Sequence, residues 1–124
     1  MRIYLLVLLG GGIGALFRYV SQGLVYSVTG ANFPFGTMAV NITGCLIIGF
    51  LMSFFEYRFS ISPELRVFLT TGILGGFTTY SSFSYESIML LKEGDYFHGI
   101  LYIAGTTLFC LTATFGGLKL GKLL

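Results

Sequence analysis

The chain has 124 residues, 55% of them apolar and only 10% charged, with a formal net charge of +2 and a mean hydropathy of +0.87. A soluble domain carries about a quarter charged residues, so most of this chain does not face water. The few basic residues are scattered, which excludes a phosphate-tracking nucleic-acid surface.

A membrane helix needs about 20 mainly apolar residues to cross a hydrocarbon core of roughly 30 Å. Four such segments with short loops use the whole length, so the expectation is one all-α, four-helix transmembrane domain over residues 1–124. Segment one runs from Ile3 to Val28. Its start, "MRIYLLVLLGGG", has the basic-then-apolar look of a signal peptide, but no A-x-A site follows and the apolar character continues. It therefore reads as a retained first membrane helix. Within it, "GGGIGALFR" lacks the strand and βαβ context of a dinucleotide loop. Gly10 with Gly14, and Gly11 with Ala15, stand four apart, which lets another backbone approach closely. Arg18 lies about ten residues from the nearest polar break. A charge at that depth either snorkels to the interface or lines a water-filled interior.

"TGANFP" ends segment one, and Pro34 suits the start of segment two, Phe35 to Phe55. Asn41 lies several turns inside it. An amide in hydrocarbon needs partners. It either bonds across helices or offers its two N–H donors to an anion in a pore. Cys45 here and Cys110 in segment four have no CxxC or histidine neighbour and read as small buried side chains, not a disulfide or metal site.

"EYRFSISPE" is the longest polar stretch. Segment three then runs from Glu64 to Leu91. At its middle, "GILGGFTTYSSFSY" carries glycines and hydroxyls. Gly75-Gly76 lowers helix propensity by about 1 kcal/mol per residue, and the hydroxyls of Thr78 and Thr79 compete for backbone groups. The spacing predicts a helix break near the midplane. Such a break is tolerated only where the freed carbonyls are buried or bind something; a kink at a packing crossing is the simpler alternative. Beyond the break, Tyr80 and Phe83 stand three apart and share a face, with electropositive ring edges. Cation-binding carbonyls followed by aromatic edges and hydroxyls suit passage of a small anion. Glu86 either reaches the interface or, if buried, takes Ser82, one turn back, as its partner.

Segment four runs from Tyr96 to Leu118. Tyr102, Thr106, Cys110 and Thr114 recur every four residues, a hydroxyl-rich stripe on one face. Ser and Thr commonly bond the i−4 carbonyl, but a stripe of this length reads as a hydrophilic lining. Four crossings put both termini on one side with Arg2, Arg58, Arg66, Lys119 and Lys122, against Lys92 on the other, plus Arg18 if it snorkels that way. The positive-inside rule then favours cytoplasmic termini.

In three stretches, "GGGIGALFRY", "PFGTMAVNITGCLIIG" and "TTGILGGFTTYSSFSYE", the chain resembles the Fluc (CrcB-type) fluoride channel family over essentially its full length. The resemblance implies a passive, fluoride-selective export channel of the cell inner membrane. It implies a dual-topology antiparallel homodimer with two pores and a central structural Na⁺. On this chain the Na⁺ carbonyls would be those of Gly75 and Thr78. Tyr80 and Phe83 would be the pore aromatics, with Asn41 beside them. Ser81, Ser82 and Glu86 would be polar positions near the pore, Tyr102, Thr106 and Cys110 the hydroxyl track, and Arg18 the vestibule arginine. Two positions depart from the family pattern. Tyr80 stands where Phe is usual, so its hydroxyl is expected to compete for fluoride or narrow the path. Cys110 stands where a hydroxyl is common. The basic-residue bias favours one orientation, whereas an antiparallel homodimer needs both, so pairing with an oppositely inserted paralogue is the alternative assembly.

The competing function is a small proton-coupled multidrug-type exporter, also four-helical. That mechanism needs a carboxylate in the first helix, and segment one has none. A non-transporting membrane subunit would not need the break and the stripe together. An enzyme is not expected, because the lone His98 sits at a loop edge without an acid–base or metal constellation.

Overall fold

The computed structural model describes residues 1–124 and is all-helical. Its order is α1 (Arg2–Thr29), α2 (Phe35–Tyr57), α3 (Pro63–Val67), a π-helical stretch (Phe68–Leu74), α4 (Gly75–Phe77), α5 (Tyr80–Lys92) and α6 (Tyr96–Leu123). Helices α1, α2 and α6 are each long and apolar enough to cross a membrane. Residues 63–92 form the remaining crossing, third in chain order, broken between α4 and α5.

Local signals fix the ends. Gly30, with φ 76°, stops α1, and its N–H bonds the Tyr26 carbonyl. The Ser62 hydroxyl caps α3 by accepting from the Leu65 N–H at 3.2 Å, with Pro63 in the first turn, where its missing N–H costs nothing. The fourth helix outruns the expected Leu118 and continues to Leu123. Gly121 is the reason: a Cβ there would press on the Phe50 carbonyl and Phe54 nitrogen of α2, so tertiary contact holds the glycine- and lysine-rich end helical.

Glycines set the packing. A Cβ on Gly10 would lie 2.9 Å from the Gly72 Cα, and one on Gly14 would collide with the Ile73 carbonyl. The small residues of α1 thus receive the π-helical stretch and α4, as the four-residue spacing predicts. Gly49 and Gly117 do the same between α2 and α6. After the break the third crossing changes partners: its first half packs on α1, whereas α5 lies against α6 and α2.

The interior is thin. Val40, Leu74, Phe83 and Tyr102 are the buried large apolar side chains, while Leu8, Leu16 and Leu24 of α1 are 64–70% exposed. An apolar surface on all sides belongs in lipid or against another protomer.

Candidate functional site

Thr78 (φ −84°, ψ 158°) and Thr79 (φ −149°, ψ 107°) are extended and separate α4 from α5. A continuing helix would send the Thr79 N–H to the Gly75 carbonyl and the Ser82 N–H to the Thr78 carbonyl. Both donors are diverted. The Thr79 N–H donates to Asn41 Oδ1 at 2.7 Å, and the Ser82 N–H donates to Thr79 Oγ1 at 3.2 Å. The Thr78 carbonyl accepts no backbone hydrogen bond at all. The break therefore frees oxygens at Gly75 and Thr78, and side chains stabilise it.

Asn41 does this from α2. Its Nδ2 also donates to the Thr79 carbonyl at 3.0 Å, so the amide brackets one peptide unit, and one of its two N–H donors is left for another acceptor. Thr79 Oγ1 caps α5 and lies 3.0 Å from Ser82 Oγ and 3.3 Å from Ser81 Oγ. Ser81 and Ser82 thus gather around the cap, at the foot of α5.

Above them, aromatic rings form a continuous line. Tyr80 to Phe83 is 5.5 Å between centroids, Phe83 to Tyr102 is 5.2 Å, and Tyr102 meets Phe33 edge-on at 5.5 Å. Phe83 and Tyr102 are buried, whereas Tyr80 is 80% exposed. The Tyr102 hydroxyl and Thr106 Oγ1 are buried and have no hydrogen-bond partner in the chain. Their neighbour Thr107 bonds the Ile103 carbonyl at 2.7 Å, the self-satisfaction that Thr106 forgoes. A cavity of about 430 Å³ lies beside them, and Tyr102, Ser81 and Ser82 are outside its lining. Asn41, Gly75, Thr78, Tyr80, Phe83, Thr106 and Cys110 all line it, and no charged residue does.

Glu86 is half-buried, and its partner is not Ser82. Thr37 Oγ1 donates to Glu86 Oε1 at 2.7 Å, and Gln22 Nε2 donates to Thr37 Oγ1 at 3.1 Å. The carboxylate faces α2 across the bundle, which leaves Ser82 to the cap. Gln22 and Thr37 were missed by the sequence reading. Each had a signal: Gln22 lies one turn from Arg18, and Thr37 one turn from Asn41, on shared faces. Arg18 is half-buried on α1, outside the cavity. Cys45 and Cys110 are both free and both line the cavity.

Comparison with known proteins places residues 5–118 in the match to a family model described as CrcB-like protein, Camphor Resistance (CrcB). The chain is 43% identical over 120 residues to "Fluoride-specific ion channel FluC" of Rhizobium meliloti, covering 97% of this chain and 96% of that one. It is 44% identical over 119 residues to the protein of the same name from Chlorobium phaeobacteroides, covering 96% and 92%. With that of Maridesulfovibrio salexigens it shares 38% over 124 residues, covering 100% and 98%.

Proposed function

The chain belongs to the CrcB-like family, and from that premise we propose that it is a passive, fluoride-selective channel that exports fluoride. It is a multi-pass membrane protein and not an enzyme. The whole chain acts as one channel domain.

The observation that carries this reading is the pair of buried, unpartnered hydroxyls of Tyr102 and Thr106 beside the Phe83 ring. A buried hydroxyl without a partner is costly. A small, strongly hydrated anion is the partner such donors suit, because it needs close donors to replace lost water. Asn41 adds its free N–H, and the edges of Phe83 and Tyr80 add a weaker electropositive field. Ser81, Ser82 and Glu86 border the path, Cys110 continues the track of α6, and Arg18 draws anions toward a vestibule.

The working unit is an antiparallel homodimer with two pores. Its central Na⁺ is held by the backbone carbonyls of Gly75 and Thr78, hard oxygen ligands suited to a hard cation. The diverted N–H groups of Thr79 and Ser82 support this site. When bound, the ion supplies fixed positive charge near both anion paths. The test is fluoride efflux from liposomes holding the purified protein, with chloride as control. Efflux of fluoride with chloride retained is expected; equal passage of both ions would sink the reading.

A further inference from the structure

Cys45 and Cys110 are the chain's only cysteines. They sit on α2 and α6 yet line one cavity. The register of the two helices explains the pairing. A Cβ on Gly49 would collide with the Thr114 carbonyl, and one on Gly117 with the Leu46 carbonyl. Those contacts hold the two backbones close. Cys45 and Cys110 lie four residues before Gly49 and Thr114, so they occupy the same two faces one turn earlier.

We propose that Cys45 and Cys110 form a two-coordinate site for a soft divalent cation, of which Hg(II) is the probe, and that its occupation blocks the fluoride path. Thiolates select soft ions. The cavity offers no carboxylate or imidazole, so Zn(II), which takes four protein ligands in structural sites, finds too few. The step balances without an oxidant. Two S–H and two Hg–Cl bonds break, two S–Hg bonds form, two protons and two chlorides leave to water, and mercury stays divalent. The product is a neutral bis-thiolate, which a low-dielectric interior opposes less than a charged complex. Thr106 lies one turn from Cys110 on the same face, so a metal held there sits on the proposed hydroxyl track. The block rests on the channel reading; the binding does not.

The test has two arms. In detergent, the full chain is titrated with HgCl₂, native mass spectrometry counts bound mercury, and a thiol reagent counts free cysteines. One mercury per chain, with both thiols lost together, is expected. Chelation by two linked sulfurs should demand on the order of 100-fold more 2-mercaptoethanol to strip the metal than Cys45→Ser or Cys110→Ser, which hold it by one sulfur. Two mercury ions per chain, equal ease of stripping, or equally tight Zn(II) binding overturns the site. In liposomes, stoichiometric Hg(II) should abolish wild-type fluoride efflux, and a dithiol should restore it. In the double serine variant, the rate after mercury should match the rate before it. Bound mercury with undiminished wild-type efflux overturns the block. An absence of efflux before any mercury counts against the channel reading instead, and the detergent arm still decides the site.

Discussion

Asn41 holds both polar groups of the helix break at Thr79, accepting from its N–H and donating to its carbonyl. Asn41→Asp keeps an acceptor but loses the donor, and it adds a negative charge where an anion is to pass. Fluoride efflux should fall at least about tenfold, equivalent to about 1.4 kcal/mol of added barrier, and detergent-solubilised protein should lose about 1–3 kcal/mol of stability. Wild-type efflux in this variant would return Asn41 to packing alone. Phe83→Ile keeps bulk but removes the ring edge that faces Tyr102 and Tyr80. Aromatic pairs of this kind contribute about 0.5–1.5 kcal/mol, so a loss of up to roughly tenfold in efflux, with assembly intact, is expected; collapse of the dimer would assign Phe83 to structure. Outside the membrane, Asp95 caps α6 through the His98 N–H and pairs with the His98 ring at 2.9 Å. The hydrogen bond from His98 holds the Asp95 carboxyl below its usual range. A lowered folded-state value means the contribution is present above the unfolded carboxylate's titration and is lost as pH falls through the folded one. Amide exchange at His98, corrected for its intrinsic pH dependence, should lose protection only at acid pH; protection that persists there would dismiss the cap.

At the scale of elements, the third crossing is the unusual one. Its first half needs α1 and its second half needs α6, and the two extended threonines between them let one segment serve both. The glycine pattern of α1 announced close packing but not its consequence, a π-helical stretch over Phe68–Leu74. Such stretches are often found at functional sites, and no residue type in "FLTTGIL" marks one. Gly14→Val would drive a side chain into the Ile73 carbonyl. Overpacking of this kind typically costs about 1–3 kcal/mol, so folded yield and unfolding midpoint should both drop. Gly105→Ala, where a methyl meets open space within the protomer, should leave both unchanged. Equal damage at the two positions would remove the contact with α1 as the cause.

For the molecule as a whole, the thin core and apolar exterior leave stability to lipid or to a second protomer. If the freed carbonyls of Gly75 and Thr78 meet their counterparts around Na⁺, exhaustive Na⁺ removal should dissociate the dimer or silence it. Li⁺ and K⁺ should substitute poorly. A dimer that persists and conducts equally well without Na⁺ would assign the glycines to packing. The basic residues do gather on one side: the Arg58 guanidinium donates to the carbonyls of Lys122 and Leu123, tying the loop after α2 to the C-terminus. An antiparallel homodimer requires that bias to be too weak to fix orientation. Accessibility tags at the C-terminus should therefore report both sides; one side alone would favour an oppositely inserted partner chain.

Composition, glycine spacing and the hydroxyl-rich middle of segment three determined the four crossings, the break and the family resemblance, because membrane depth leaves few options for polar backbone and side chains. They could not say which neighbour would answer each freed group. Glu86 had a plausible partner one turn away, yet Thr37 of α2 takes it. Asn41 was legible as a buried amide, but only the docking of α2 against the break made it the clamp for Thr79. Thr106 and Thr107 are alike as residue types, and their helix phase decides that the exposed one bonds its own backbone while the other is buried unpartnered. Local chemistry fixes what each group requires; the relative rotation of packed helices, a tertiary quantity, fixes what it meets.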